Sequence, residues 1–236
     1  MIRREYLTGL ILAGGRASRM QPGAVESAPS GRSVRHGPRG GRSPDLAVSD
    51  GGIPPIEKGL VLLRDEPLVV HARRFLAGQV SQVVISANRR VEAYARYGKV
   101  FTDDPDIGPD AGPLAGIYSA LVRIDTPWLV VTPVDVINPP SDLVPRLADV
   151  IARQKTQAAY ATTTRSHPLC MMVHAGLAPS LRNYLLGGDR KVMLWLESAG
   201  AVPAHFDNDE YAFGNINTLA DLEYAEATWA GAAGTA

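Results

Sequence analysis

Residue types that suit phosphate chemistry follow the ends of short apolar runs in this chain of 236 residues. The run Leu10–Ala13 ends in Gly14 and Gly15, and Arg16 and Arg19 come shortly after it. Consecutive glycines let main-chain N–H groups approach a ligand closely, and arginine donates to phosphate oxygens. Because the spacing matches neither G-x-x-x-x-G-K-[ST] nor G-x-G-x-x-G, it indicates an anion site outside those classes or, taken alone, a strand-to-helix turn.

Further polar residues recur at comparable places along the chain. Lys58 lies in "IEKGLVLL", while Asn88, Asp103 and Asp135 each come after an apolar run, and the glycine-rich stretch 111–117 opens a helical pattern. An aspartate at a strand end supplies the oxygen ligand that Mg²⁺ prefers, although such aspartates also stabilise turns. Together these groups suit nucleotidyl transfer, which requires charge to be neutralised on the transferring phosphoryl group and on departing pyrophosphate.

The elements that must position these residues alternate along the chain. Apolar runs predict strands over 7–13, 82–86, 99–102, 128–133, 157–163 and 170–173. Helical patterns occupy 67–78, 113–124, 142–154, 176–186, 190–199 and 218–230, the last with Thr218 as N-cap and Asp221 three residues on. This alternation predicts an α/β fold whose mostly parallel sheet has helices on both faces, with ligands at the carboxyl ends of the strands.

The composition indicates a globular protein and argues against several other classes of protein. Hydrophobic residues make up 45% and charged residues 20%, and the formal net charge is zero, so charge points to neither nucleic acid nor an acidic membrane as a partner. Cys170 is the single cysteine, which excludes an internal disulfide framework. No apolar run approaches the ~18–20 residues of a membrane span. We therefore expect a soluble protein of the cytoplasm.

One segment departs from the pattern of strands and helices. Residues 21–55 hold seven glycines, six prolines and five serines and lack aromatic residues. Such a composition buries too little apolar surface to offset chain entropy. We expect a single domain over 1–236 with a disordered insertion at 21–55.

With these motifs in this order, the chain resembles the molybdenum cofactor guanylyltransferases. The resemblance runs from about Leu7 to Leu222 and rests on "LILAGGRASRM", "EKGL", "ISANRR", "AGPLAGI", "VVTPVD", "HPL", "GGDRKVMLWL" and "FGNINT". It implies a three-layer Rossmann-like nucleotidyltransferase fold and a Mg²⁺-dependent enzyme that joins GMP from GTP to molybdopterin cofactor. Molybdoenzyme maturation proteins are possible partners of such an enzyme.

The resemblance also implies roles for individual residues. Those implied to bind GTP are Leu12, Ala13, Gly14, Gly15, Lys58, Asn88, Asp103 and Asp135. Those implied to act in catalysis are Arg19, Lys58 and Asp135, with Asp135 as the metal ligand. Those implied to bind the substrates are Gly116, near the phosphates, and Arg190, Lys191, Asn215 and Asn217, on the pterin side.

The chain departs from the family pattern at a few positions. A long stretch separates Met20 from Lys58, Glu57 replaces the usual aspartate, and "PVDVINPP" surrounds Asp135. Two alternatives therefore stay open: nucleotidyl transfer to another acceptor, such as cytidylyl transfer to molybdopterin or transfer to a sugar phosphate, or nucleotide binding without catalysis. We expect the arginines of "ANRR" (87–90) to lie on a solvated face.

Overall fold

A mixed seven-stranded sheet forms the centre of the protein. The computed structural model describes residues 2–14, 57–108, 111–206 and 212–228. The strands are β1 (Leu7–Leu12), β2 (Leu62–Leu63), β3 (Glu66–Pro67), β4 (Gln82–Ser86), β5 (Lys99–Phe101), β6 (Trp128–Pro133), β7 (Ala158–Thr162), β8 (Ser166–His174) and β9 (Val202–His205). The helices are α1 (Leu68–Ala77), α2 (Val91–Ala95), α3 (Pro113–Leu121), α4 (Leu143–Gln154), α5 (Ala178–Leu186), α6 (Val192–Ser198) and α7 (Leu219–Thr228).

The strand order in the central sheet is β5-β4-β1-β6-β8-β7-β9. Strands β5, β4, β1 and β6 run parallel, and β8 pairs antiparallel with both β6 and β7. Every residue of β1 is buried, which agrees with a strand covered on both faces. The predicted fold class, a mostly parallel sheet between helices, is confirmed.

Two apolar clusters hold the helices against the sheet. On one face, Leu76 of α1 and Leu147 of α4 pack in a cluster that includes Ile11. On the other face, Leu114 of α3 and Trp195 of α6 pack in a cluster that includes other residues of β1. Because β1 alternates its side chains between the two clusters, it joins both halves of the core.

Some elements differ from the sequence-based expectation. Strand β9, helix α2 and the β2–β3 hairpin had no prediction, and β8 begins at Ser166 rather than at residue 170. Pro203 lies within β9, where it argues against a central strand, but β9 is an edge strand and tolerates it. Helix α2 has five residues, too few to produce a helical period in the sequence.

The carboxyl ends of the parallel strands form the edge at which ligands bind in this architecture. After β1 the chain proceeds outward through β4 and β5, and then β6 pairs on the opposite side of β1. The order therefore reverses beside β1, which is the position of the binding crevice in open α/β sheets. At ~5 Å between neighbouring strands, the ends of β5 and β6 lie about 15 Å apart.

Part of the predicted site falls outside the described residues. Gly15, Arg16 and Arg19 are among these, and so is the whole segment 21–55, whose predicted disorder stays a prediction. Within the described part of the chain, none of the helices is long and apolar enough to cross a membrane.

Candidate active site

Lys58 and Asp135 meet at the carboxyl edge of the sheet. Lys58 Nζ donates to Asp135 Oδ2 over 2.7 Å, and the two side chains are only 12% and 17% exposed. Asp135 follows β6, and its position is held by hydrogen bonds from Val134 N to Leu12 O and from Ile216 N to Asp135 O, each 3.0 Å. The structure thus brings together two of the three residues predicted for catalysis.

Asn217 adds a second partner to the same ammonium group. Lys58 Nζ donates to Asn217 Oδ1 over 2.7 Å. Asn217 N and Thr218 N both donate to Asp221 Oδ2 over 2.8 Å, and Asp221 N donates back to Thr218 Oγ1 over 3.1 Å. This reciprocal cap at the start of α7 confirms the predicted N-cap. Although burial raises the pKa of Asp221, these hydrogen bonds and the nearby Lys58 charge hold it below its usual value.

A second polar pair follows the neighbouring strands β4 and β5. Asn88 Nδ2 donates to Asp103 Oδ2 over 2.7 Å, and Asp103 N donates to Asn88 Oδ1 over 2.8 Å. Burial raises the pKa of Asp103, although the hydrogen bond from Asn88 and the charge of Arg123 oppose that shift. These two bonds fix the Asn88 side chain against Asp103, and the GTP contact implied for both residues stays a prediction.

A cavity of about 300 Å³ adjoins this second pair. Its walls come from the loops after β1, β4 and β5 and from the start of α3. The lining residues are Leu12, Gly14, Glu57, Ser86, Ala87, Asn88, Arg89, Asp103, Ala111, Gly112, Pro113 and Gly116. The volume lies at the lower end of the range for small-molecule sites.

Leu12 and Gly14, which the resemblance implies bind GTP, line this cavity on either side of Ala13 in the chain. The backbone of Ala13 between them is engaged within the fold. Ala13 N donates to Ser86 O over 2.9 Å, and the Tyr94 hydroxyl donates to Ala13 O over 3.3 Å. Burial and the charge of Glu57 raise the pKa of Tyr94, so its hydroxyl stays a donor. These bonds fix the main chain at Ala13 and thereby the position of Gly14 at the cavity wall.

Glu57 and Arg89 form an ion pair in the cavity wall. Arg89 Nε donates to Glu57 Oε1 over 2.6 Å, and the Glu57 side chain is only 4% exposed, against 41% for Arg89. This hydrogen bond raises the pKa of Arg89. The expectation that the arginines of "ANRR" lie on a solvated face is confirmed, because Arg89 and Arg90 are both exposed. Arg89 in addition pairs with the Glu57 carboxylate, since a buried carboxylate needs a charged partner.

Neither Glu57 nor Arg89 was a predicted site residue. The sequence did contain a signal for both: Glu57 precedes Lys58, Arg89 follows Asn88, and the two carry opposite charges. Their pairing connects the lysine end of the site with the Asn88–Asp103 end.

Gly116 lies inside α3, at the wall of the cavity. A Cβ atom there would come too close to Ser86 Oγ and would lie 3.4 Å from Leu12 Cδ2. The structure places Gly116 with the predicted nucleotide-binding residues Leu12 and Asn88. Its assignment to substrate stays a prediction.

The remaining predicted substrate residues are spread over two segments. Asn215 is exposed and pairs with Val136 in an isolated antiparallel bridge beside Asp135. Arg190 and Lys191 lie between α5 and α6, where Arg190 Nη1 donates to Leu185 O over 2.7 Å and to Asp189 O over 2.8 Å. No hydrogen bond within the described ranges joins the side chains of Arg190 or Lys191 to those of Lys58 and Asp135.

The residues near Lys58 fit a magnesium ion bound together with phosphates. Asp135 offers a hard carboxylate oxygen, and the described residues contain no group of three or more His, Cys, Asp or Glu side chains able to enclose a metal. Mg²⁺ typically binds through one or two carboxylates, substrate phosphates and water rather than in an all-protein cage. Asp135 is therefore the candidate ligand.

Similarity to known proteins identifies the family of this chain. A family model described as "MobA-like NTP transferase domain" matches residues 9–202, most of the chain. The chain belongs to this family. It is 38% identical to the molybdenum cofactor guanylyltransferase of Bordetella petrii over 94% of this chain and 98% of that protein. It is 37% identical to the molybdenum cofactor guanylyltransferase of Serratia proteamaculans over 92% of each chain.

Solved structures agree with the fold of this family. Molybdopterin-guanine dinucleotide biosynthesis protein A from Archaeoglobus fulgidus superposes with a TM-score of 0.62 at 19% identity, covering 93% of this chain and 97% of that one. A putative glucose-1-phosphate thymidylyltransferase from Bacillus anthracis superposes with a TM-score of 0.63 at 13% identity, covering 94% of each chain. The fold is thus that of these solved structures. The family match and the relatives at 37–38% identity show that this MobA-like chain is a nucleotidyltransferase.

Proposed function

We propose that this protein transfers GMP from GTP to the molybdenum-molybdopterin cofactor, forming the guanine dinucleotide cofactor and releasing pyrophosphate. The observation that carries the proposal is the pairing of Lys58 with Asp135, 2.7 Å apart, on the same sheet edge as the cavity beside Asn88 and Asp103. Relatives of 36–38% identity over nearly the whole chain bear the name of this activity.

The two polar pairs divide the site between the two ends of a nucleoside triphosphate. The cavity beside Asn88 and Asp103 receives the guanosine, with Leu12 and Gly14 close to the ligand. The ammonium group of Lys58 and the carboxylate of Asp135, after β6, lie on the triphosphate side. The ~15 Å between the ends of β5 and β6 suits an extended nucleotide.

The transfer is a substitution at the α-phosphorus of GTP. A phosphate oxygen of molybdopterin forms a bond to this phosphorus, and the bond to the oxygen that bridges the α- and β-phosphorus atoms breaks. The electron pair of the broken bond leaves with pyrophosphate. Lys58 holds the phosphates and offsets the charge that develops on the departing pyrophosphate. Its side chain forms no covalent bond to the substrate.

Asp135 would hold Mg²⁺ in this site. Bound there, the ion would supply positive charge to offset the charge that develops on the phosphates during the transfer. Arg19, predicted to assist there, lies outside the described residues.

The experiment that tests the proposal measures pyrophosphate. The protein is incubated with Mg²⁺, molybdenum-molybdopterin and each nucleoside triphosphate in turn, and release is expected with GTP and to depend on the acceptor. In calorimetry, GTP is expected to bind at least tenfold more tightly than CTP, about 1.4 kcal/mol. Equal or tighter binding of CTP would contradict guanylyl transfer, and nucleotide binding without pyrophosphate release would indicate a non-catalytic protein.

A further inference from the structure

We propose that Asn217 and Asp221 are positioning residues for Lys58, so that the start of α7 sets the place of the phosphate-binding ammonium group. Resemblance assigned Asn217 to the pterin substrate. The expected effect on GTP binding rests on the proposed function. The positioning of the Lys58 ammonium group by Asn217 and Asp221 does not depend on it.

The first step is the contact between Asn217 and Lys58. Lys58 Nζ lies 2.7 Å from Asn217 Oδ1, the same distance as from Asp135 Oδ2. An ammonium group has three donors, and these two contacts take two of them. Among the residues that the structure describes, no third partner takes the remaining donor, which can reach a phosphate oxygen in a direction defined by the other two.

The second step is the support of Asn217 by Asp221. Asp221 Oδ2 accepts from both Asn217 N and Thr218 N over 2.8 Å. The main chain from which the Asn217 side chain extends is thereby tied to the first turn of α7. Since lysine has a long side chain with large rotamer entropy, a fixed acceptor is needed to hold its end in one place.

The consequence appears when the Asp135 carboxylate engages a cation. Asp135 then shares its charge with that cation, and its attraction for Lys58 weakens. Asn217 is uncharged and remains an acceptor for Lys58. The ammonium group therefore keeps its position and directs its donors to the phosphates. If Asn217 only contacted the substrate, its removal would leave the position of the Lys58 ammonium group unchanged.

The first experiment follows the Lys58 ammonium group by NMR in the ¹⁵N-labelled full-length protein, with the signal assigned by Lys58→Arg. The other lysines, Lys99, Lys155 and Lys191, are all exposed and serve as internal references for fast exchange with water. Wild-type Lys58 is expected to exchange more slowly than the references, and Asn217→Ala is expected to reduce this protection, although Asp135 still accepts from Lys58. Asn217→Asp keeps the acceptor oxygen and should retain protection.

Two further variants sharpen this measurement. Asp221→Ala is expected to reduce the protection of Lys58. Asp221→Asn should restore much of it, because the amide oxygen of asparagine can still accept from Asn217 N and Thr218 N. Asn183→Ala, at an exposed asparagine of α5, is the matched control and should leave Lys58 unchanged. Protection in Asn217→Ala equal to that in the wild type, or an unprotected wild-type Lys58, would overturn the inference.

The second experiment compares GTP with GMP by calorimetry. Asn217→Ala is expected to weaken GTP binding about tenfold and GMP binding less than twofold, because Lys58 acts on phosphates that GMP lacks. An unchanged GTP affinity together with a raised KM for molybdopterin would instead make Asn217 a substrate contact. A wild-type protein that binds no GTP would refute the proposed function, while the exchange of Lys58 would still decide its positioning.

Discussion

Lys58 Nζ lies 2.7 Å from Asp135 Oδ2, although the two residues are 77 positions apart in the chain. The pair joins a short 3-10 helix that begins at Lys58 to the loop after β6. Both side chains are mostly shielded from water, so the attraction between them is screened less than that of a surface pair. The contact places a phosphate-binding cation beside a candidate metal ligand at the point where the strand order reverses.

Asp135→Asn is expected to separate catalysis from folding. The carboxamide keeps the shape and an oxygen acceptor for Lys58, and Asn217 still holds the ammonium group, so the protein should still fold. Because the shielded ammonium group of Lys58 loses its charge partner, the unfolding temperature should fall moderately. Turnover should fall about a hundredfold or more, because charge stabilisation by a metal contributes several kcal/mol. Pyrophosphate release and thermal unfolding are measured together. Near-normal Mg²⁺-dependent release would remove Asp135 from the mechanism.

Arg89→Ala is expected to destabilise the fold by about 1–3 kcal/mol. It leaves the carboxylate of Glu57, 4% exposed, without its partner; the 41% exposure of Arg89 reduces the loss below that of a fully buried pair. The measurement is urea unfolding at pH 7. The double variant Arg89→Ala with Glu57→Gln should recover part of the loss, since it buries no unpaired charge. If the double variant were as unstable as the sum of its single changes, the ion pair would not be the cause.

Asp103→Asn is expected to flatten the pH dependence of stability. Burial raises the folded-state pKa of Asp103 above the unfolded value of about 3.9. The folded state therefore holds its proton to higher pH, and its stability falls as pH rises from about 4 through the folded-state pKa, then stays level.

The asparagine cannot ionise and still accepts from Asn88. Thermal unfolding at pH 4 and pH 7 should show a smaller decrease in the variant than in the wild type. A larger decrease would contradict the burial argument. GTP binding should weaken in the same variant if Asp103 contacts the nucleotide.

Gly116→Ala is expected to reduce both stability and nucleotide affinity. The added methyl group would contact Ser86 and Leu12 at the cavity wall, and overpacking of this kind costs about 1–3 kcal/mol. Gly78→Ala is the matched control, because Gly78 has helical dihedral angles and open space around its Cβ position. GTP affinity should fall about tenfold in Gly116→Ala and stay unchanged in Gly78→Ala. Equal affinities would separate Gly116 from the nucleotide site.

The sequence by itself determined the elements and the edge on which the site is built. The apolar runs of β1, β4 and β6 lie where the sequence predicted them, because strands buried on both faces read as continuous hydrophobic segments. The residues after those strands, among them Asn88 and Asp135, reach one edge because parallel strands end on the same side. Lys58 could be selected only through the order of the motifs.

The tertiary structure alone decided which side chains touch. Lys58 and Asn217 are 159 positions apart, and Arg89 and Glu57 are 32 apart, so no local period relates either pair. Strand β9 was not predicted, because Pro203 argues against a strand unless that strand lies at the edge of the sheet. The antiparallel direction of β8 depends on the strands beside it. Local periodicity records which face of an element is buried, whereas side-chain partners depend on strand order and on the packing of segments far apart in the chain.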